Sequence, residues 1–223
     1  MQWTKTEVFD IILEQIDSLH ILDKHVSMIH RRINNPTVSE WLSRIKFDKK
    51  ISVIELGCSI GHLPISELLF GNLKIHSWIG YDCDKIAIKT ANVLSQKFNL
   101  NSKCKFLHSA VSSYKNKYVY YTDSALLGAQ VYKTKKDSFT NKTPNLHYKN
   151  LPACDLLLVD IEGEEFNIDF NQMQYTYCII ETNTVQATNK FIKNYMSNTN
   201  NFKILQNFKL RKDKNTFLIV KNN

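Results

Sequence analysis

The spacing of apolar positions divides the chain into two textures. Up to about residue 50 the pattern is helical: Val8, Phe9, Ile12, Ile16 and Leu19 recur at three- and four-residue steps, like the buried stripe of an amphipathic helix. A second helix is expected over residues 22–33, ending before Asn35-Pro36. A short third one follows through Val38, Trp41 and Leu42, with Thr37 as its N-cap. From residue 51 the apolar runs become short, continuous and β-branched. ISVIEL, KIHSWIGY (74–81), CKFLHSAV (104–111), CDLLLVDI (154–161) and YTYCIIET (175–182) each read as a strand buried on both faces. Helical patterns fill 62–70, 84–98 and 184–197, and strands alternating with helices predict a parallel α/β sheet. FKILQNF and NTFLIVK, parted by LRKDK, read instead as an antiparallel hairpin. YVYYTD and AQVY, within residues 117–133, look like extra strands inserted before the fourth main one. The expected organisation is a helical segment over 1–50 and an α/β domain over 51–223.

Composition narrows the class without naming a function. At 223 residues, with 43% hydrophobic and 22% charged positions, the chain is of ordinary globular make-up. No run approaches the ~20 apolar residues of a membrane span, and acidic residues interrupt the N-terminal apolar positions where a signal peptide would be continuous; a soluble, cytoplasmic protein is expected. Five cysteines (Cys58, Cys83, Cys104, Cys154, Cys178) lie scattered inside apolar runs with no C-x-x-C pair, which favours buried thiols over a disulfide framework or a zinc site. The net charge of +8, from 29 basic and 21 acidic residues, attracts anions, nucleic acid among them. The lysines are spread thinly, however, with modest clusters at Lys133, Lys135 and Lys136 and at Lys209, Arg211, Lys212 and Lys214, and a lysine-rich surface of no special purpose is the plainer reading.

The first chemistry-bearing stretch is VIELGCSIGHL, residues 53–63. Gly57 and Gly61 stand four apart just after a strand-like run, in a chain with only 6 glycines. Glycine there permits a tight turn and lets a ligand lie against the backbone. The spacing E-x-G-x-S-x-G departs from the dinucleotide fingerprint G-x-G-x-x-G. About 20 residues further on, WIGYDCD puts Asp82 at the end of the second strand, where a carboxylate can accept hydrogen bonds from two ribose hydroxyls. Asp84 reads better as the cap of the next helix. A glycine-bearing turn in some other α/β fold is the plain alternative.

Glu55, Gly57, Ser59 and Gly61 together resemble motif I of S-adenosylmethionine-dependent methyltransferases, and five strand–helix elements followed by a hairpin match the order of that family's seven-stranded, Rossmann-like sheet. The resemblance implies that the glycine loop passes under the cofactor's amino-acid portion, with Glu55 holding the ammonium end. A cationic sulfonium and ammonium favour an acid nearby, which a pyrophosphate would not.

LLLVDIEGEEF, residues 156–166, carries a narrower likeness. Asp160 ends a buried strand, Gly163 interrupts the acids Glu162, Glu164 and Glu165, and L-V-D-I-E-G-E-E resembles the K-I-D-V-E-G-x-E signature of FkbM-type methyltransferases. Asn92, HSAVSS (108–113) and Glu181 in CIIETN fit the same pattern, over about residues 51–185. Two pieces depart: no T-L-D segment is visible before the fourth strand, and Asp82 stands where the family has E-P. The resemblance implies methyl transfer to an oxygen, a hydroxyl of a sugar or small metabolite, with Asp160 first and Glu162 second as catalytic base. A variant adds Mg²⁺ on Asp160, Glu181 and Asn183 at adjacent strand ends. Two rivals remain. One is an RNA methyltransferase, favoured by charge and tyrosines, for which Lys190 is a loose catalytic lysine; the other is a non-catalytic binding protein with this fold.

Overall fold

The computed structural model describes residues 3–17, 42, 45–122, 129–136, 140–182, 185–196, 202–209 and 215–221. The expected helices over 22–33 and 38–41, Trp41, Asn183 and the basic cluster at 211–214 lie outside them. The first helix is α1, Lys5–Asp17. It opens with a reciprocal cap: Thr4 Oγ1 accepts from the Glu7 N–H at 3.2 Å, while Glu7 Oε2 accepts from the Thr4 N–H at 2.7 Å. Val8, Ile12 and Ile16 are buried, as their spacing requires.

The main sheet contains β1 (Ile51–Leu56), β2 (Ile75–Asp82), β3 (Cys104–His108), β8 (Leu156–Val159), β9 (Tyr177–Thr182), β10 (Phe202–Lys209) and β11 (Asn215–Lys221). Its order is β10-β11-β9-β8-β1-β2-β3. Neighbours pair in parallel except β11, which runs antiparallel to both β9 and β10. Helices α2 (His62–Phe70), α3 (Lys85–Lys97) and α4 (Val185–Met196) fall where the periodicity put them. Successive strand residues enter opposite cores. Val53, Trp78, Phe106, Leu158 and Ile179 pack on the face that holds Val8 and Ile12 of α1 and Leu94 of α3. Ile54, Leu56, Leu157, Val159 and Ile180 pack on the other, with Phe191 of α4 and Phe170. Burial on both faces is why these strands read as unbroken apolar runs.

The departure from expectation lies between β3 and β8. Rather than adding to the main sheet, the inserted strands form a second sheet of their own, so eleven strands among the described residues make two sheets. The second contains β4 (Ala110–Ser112), β5 (Tyr118–Thr122), β6 (Val131–Tyr132) and β7 (Thr140–His147), in the order β4-β7-β5-β6. The expected single strand 104–111 is broken at Ser109, whose N–H makes the last bond to β2, to the Asp82 carbonyl at 2.9 Å. The chain then turns into β4 and pairs with β7. Strand β7, TNKTPNLH, carries no apolar alternation and a mid-strand proline; it is a strand because β4 and β5 pair with it on either side.

Candidate functional site

The C-terminal ends of β1, β2, β3 and β8 converge on one open cleft enclosing about 570 Å³, part of it continuous with solvent. Its floor is the turn after β1. Gly57, Ser59 and Gly61 all adopt left-handed backbone, with φ of 83°, 49° and 72°. The turn is tied to β2: the Gly57 and Cys58 N–H groups bond the Tyr81 carbonyl at 2.8 and 3.1 Å, and the Ser59 N–H donates to Asp82 Oδ2 at 2.8 Å. On its other side the Asp160 N–H bonds the Leu56 carbonyl at 2.9 Å. A Cβ on Gly57 would run into the Asp160 carbonyl, and one on Gly61 would come within 2.7 Å of the Phe106 ring. Both glycines are required by close approach as well as by φ.

Asp82 stands at the centre. Besides Ser59, it accepts the Asp84 N–H at 2.9 Å through Oδ1, which leaves each oxygen a further lone pair for a ligand. Burial pushes its pKa up to about 6; the two N–H bonds oppose this, and the charges of Asp84 and Asp160 add to it. Asp84 caps α3, accepting from the Ile86 and Ala87 N–H groups at 2.7 and 3.2 Å, as its position after the strand predicts. Asp160 and Glu162 also line the cleft. Of the three described non-glycine residues with positive φ, two, Ser59 and Glu162, lie there, a concentration of backbone strain of the kind found at functional sites.

Two sequence expectations need revision. Glu55 does not line the cleft. It shares a strand face with Ile51 and Val53, is 6% exposed, and accepts the Trp78 indole N–H at 3.0 Å within the core beneath the sheet. The acidic run after Asp160 also divides. Glu164 is buried, accepting the Ser113 N–H and hydroxyl at 2.9 and 2.8 Å and the Asn167 amide at 2.9 Å, so it fastens this turn to the end of β4. Glu165 is buried as well and accepts the Gly163 N–H. Replacing Glu164 by Ala strands the Ser113 N–H; we expect a loss of about 1–3 kcal/mol in denaturant unfolding, against less than about 0.5 kcal/mol for the cleft-lining Glu162→Gln.

Sequence reasoning missed the wall made by Ser109, Ala110 and Val111, by Ala129, and by Val131 of β6. The HSAVSS segment was the available signal for the first three. Lys190 lies outside the cleft, 4.8 Å above the Phe166 ring. Among the described residues no group of three or more His, Cys, Asp or Glu is disposed to hold a metal ion. The Mg²⁺ variant on Asp160, Glu181 and Asn183 therefore finds no support, Asn183 lying outside the described residues. All five cysteines are free and buried. No described helix is long and apolar enough to cross a membrane.

No protein-family model matches the chain, and no curated protein matches it. Solved structures do. A ribosomal protein L11 methylase from Lactobacillus delbrueckii subsp. bulgaricus aligns over 85% of this chain and 80% of its own, at 12% identity and a TM-score of 0.52. Magnesium protoporphyrin IX methyltransferase from Synechocystis PCC 6803, with bound S-adenosylmethionine, aligns over 86% and 79%, at 12% identity and a TM-score of 0.51. An rRNA methylase from Escherichia coli aligns over 95% and 75%, at 12% identity and a TM-score of 0.51. The fold is the Rossmann-like fold of S-adenosylmethionine-dependent methyltransferases. The three proteins are named for protein, porphyrin and RNA acceptors, so the fold by itself designates none.

Proposed function

We propose that this cleft binds S-adenosylmethionine and that the protein transfers its methyl group to a hydroxyl oxygen. The observation that carries the reading is charge. In a chain of net charge +8, the described cleft lining contains Asp82, Asp84, Asp160 and Glu162 and neither Lys nor Arg. Such a lining repels phosphate and suits a ligand that is cationic at one end and rich in hydroxyls at the other. The donor set fits that cofactor in detail. Asp82 has lone pairs for two ribose hydroxyls, and the left-handed turn from Gly57 to Gly61 leaves backbone bare for the amino-acid portion. Glu55 acts here by fixing Trp78 to the end of β1.

S-adenosylmethionine, when bound, supplies an electrophilic methyl on a positively charged sulfur. The chain must then orient a hydroxyl and take its proton. Asp160 is the proposed base, since it follows directly on β8 beside the glycine turn, and Glu162 is the second candidate. The L-V-D-I-E-G-E-E stretch supports an FkbM-type enzyme acting on a sugar or small-metabolite hydroxyl. A second reading, an RNA methyltransferase, draws on the lysines and tyrosines of the second sheet.

The shift at Asp82 supplies the test. The cofactor requires the ionised carboxylate, and protonation competes with binding once pH falls below about 6. The calorimetric Kd should be strongest near pH 7 and weaken toward about tenfold per unit below pH 6. A Kd unchanged down to pH 5 contradicts the role of Asp82.

A further inference from the structure

The segment between β3 and β8 concentrates what the cleft lacks. Residues 110–150 carry seven lysines against two aspartates, five of the chain's eight net positive charges, and six of its ten tyrosines. The second sheet sorts them by face. Val119 and Tyr121 of β5 are buried against Cys83 and Ala110, and Val131 of β6 lines the cleft. Tyr118 and Tyr120, at the alternate positions, face away. Tyr120 pairs with Tyr132 on β6 and with Lys142 on β7, so these four share the outer face.

That face is aromatic and basic at once. Tyr118 is 41% exposed, the only aromatic among the exposed large hydrophobic residues described. The Lys142 and Lys117 ammonium groups stand 4.4 and 5.7 Å from its ring centroid, and that of Lys136 stands 3.8 Å from the Tyr132 ring. None of the three has a carboxylate partner among the described residues. A surface cation–π contact is weak, so each ammonium can leave its ring for a phosphate.

We propose that this outer face binds single-stranded RNA, with bases stacked on Tyr118, Tyr120 and Tyr132 and phosphates met by Lys117, Lys136 and Lys142. Exposed rings on neighbouring positions of a pleated sheet are the means by which sheets stack two or three successive bases, and the surrounding lysines supply the backbone attraction. An acidic peptide would engage the lysines and leave the row of rings without a purpose. The two surfaces are complementary in charge to different ligands, the cleft to a cation and the outer face to a polyanion, and they meet along β6, where Val131 faces in and Tyr132 faces out. The inference rests on the methyl-transfer reading for its purpose: RNA presents a 2′-hydroxyl at every nucleotide, the acceptor chemistry proposed for the cleft.

The test is fluorescence anisotropy with a labelled single-stranded RNA of about 12 nucleotides, with S-adenosylmethionine calorimetry on the same proteins. Wild type should bind with an affinity that falls linearly with salt on logarithmic axes. Tyr118→Ala and Tyr120→Ala should each weaken binding about tenfold, and the triple variant including Tyr132→Ala more than about 100-fold. Cofactor affinity should stay within about twofold in all of them, which shows that they fold. Absence of RNA binding by wild type, or undiminished binding by the triple variant, overturns the proposal. So does a polyglutamate peptide that binds as tightly with the same dependence on the tyrosines. The two readings fail separately: cofactor binding without RNA binding rejects this face alone, and tyrosine-dependent RNA binding without cofactor binding rejects the methyl-transfer reading alone.

Discussion

Asp160→Asn is expected to lower kcat by about 10²- to 10⁴-fold, the usual worth of a positioned general base, and to leave cofactor affinity within a few-fold. Asparagine keeps the volume of the side chain and the backbone bond to Leu56 at 2.9 Å, so the floor of the cleft is preserved. What disappears is the ability to take a proton. In the proposed reaction the leaving group departs from a cationic sulfur and needs little help, so deprotonation and alignment of the hydroxyl are what remain for the protein to supply. S-adenosylhomocysteine release with an acceptor that wild type turns over measures this. Retained kcat would remove Asp160 as base and bring Glu162 forward, to be tested by the same substitution to its amide.

Gly57→Ala should be the most damaging single-methyl change in the site. The residue sits at φ 83°, costly for any residue with a Cβ, and the added atom collides with the Asp160 carbonyl. Both walls are backbone, so relief requires parting the ends of β1 and β8, which the Asp160-to-Leu56 bond opposes. We expect a loss of about 3 kcal/mol or more, a fall in Tm of roughly 6–12 °C for a domain of this size, and no measurable cofactor binding. Gly163 provides the control. Its φ is 110°, but an added Cβ would meet only the Phe166 ring at 3.7 Å. Gly163→Ala should therefore cost no more than the conformational term of about 1–2 kcal/mol. Equal costs at the two glycines would show that close approach at Gly57 is not what matters.

The parts of this molecule legible in its sequence are those whose surroundings repeat. Strands β1, β2, β8 and β9 carry core residues on both faces, so apolar residues stand at successive positions rather than at every second one. Gly57, Gly61, Asp82 and Asp160 could be found because strand ends in such a sheet meet on one edge. Strand β7 could not, since its polar residues and Pro144 make sense only between β4 and β5. The break at Ser109 was hidden for a similar reason: the apolar run continues through it while the hydrogen bonds change partner. Glu55 was misplaced by motif likeness when alternation already held the answer. Counting by two from Ile51 and Val53 puts it on the face of Trp78, beneath the sheet and away from the cleft. Glu164 and Glu165 show the converse. Acids clustered at a strand end look like a ligand site, yet here a serine across the turn and a backbone N–H within it account for both.

The central claim, that the acidic cleft around Asp82 is a cofactor site, is tested most directly by titrating S-adenosylmethionine into wild type and into Asp82→Ala at pH 7.5, with circular dichroism to establish that both are folded. The account predicts micromolar binding by wild type and a loss of about 100-fold or more in the variant, as expected when a buried carboxylate that accepts ligand hydroxyls is removed. A folded wild type that binds no S-adenosylmethionine, or a variant that binds it as tightly as wild type, would contradict it.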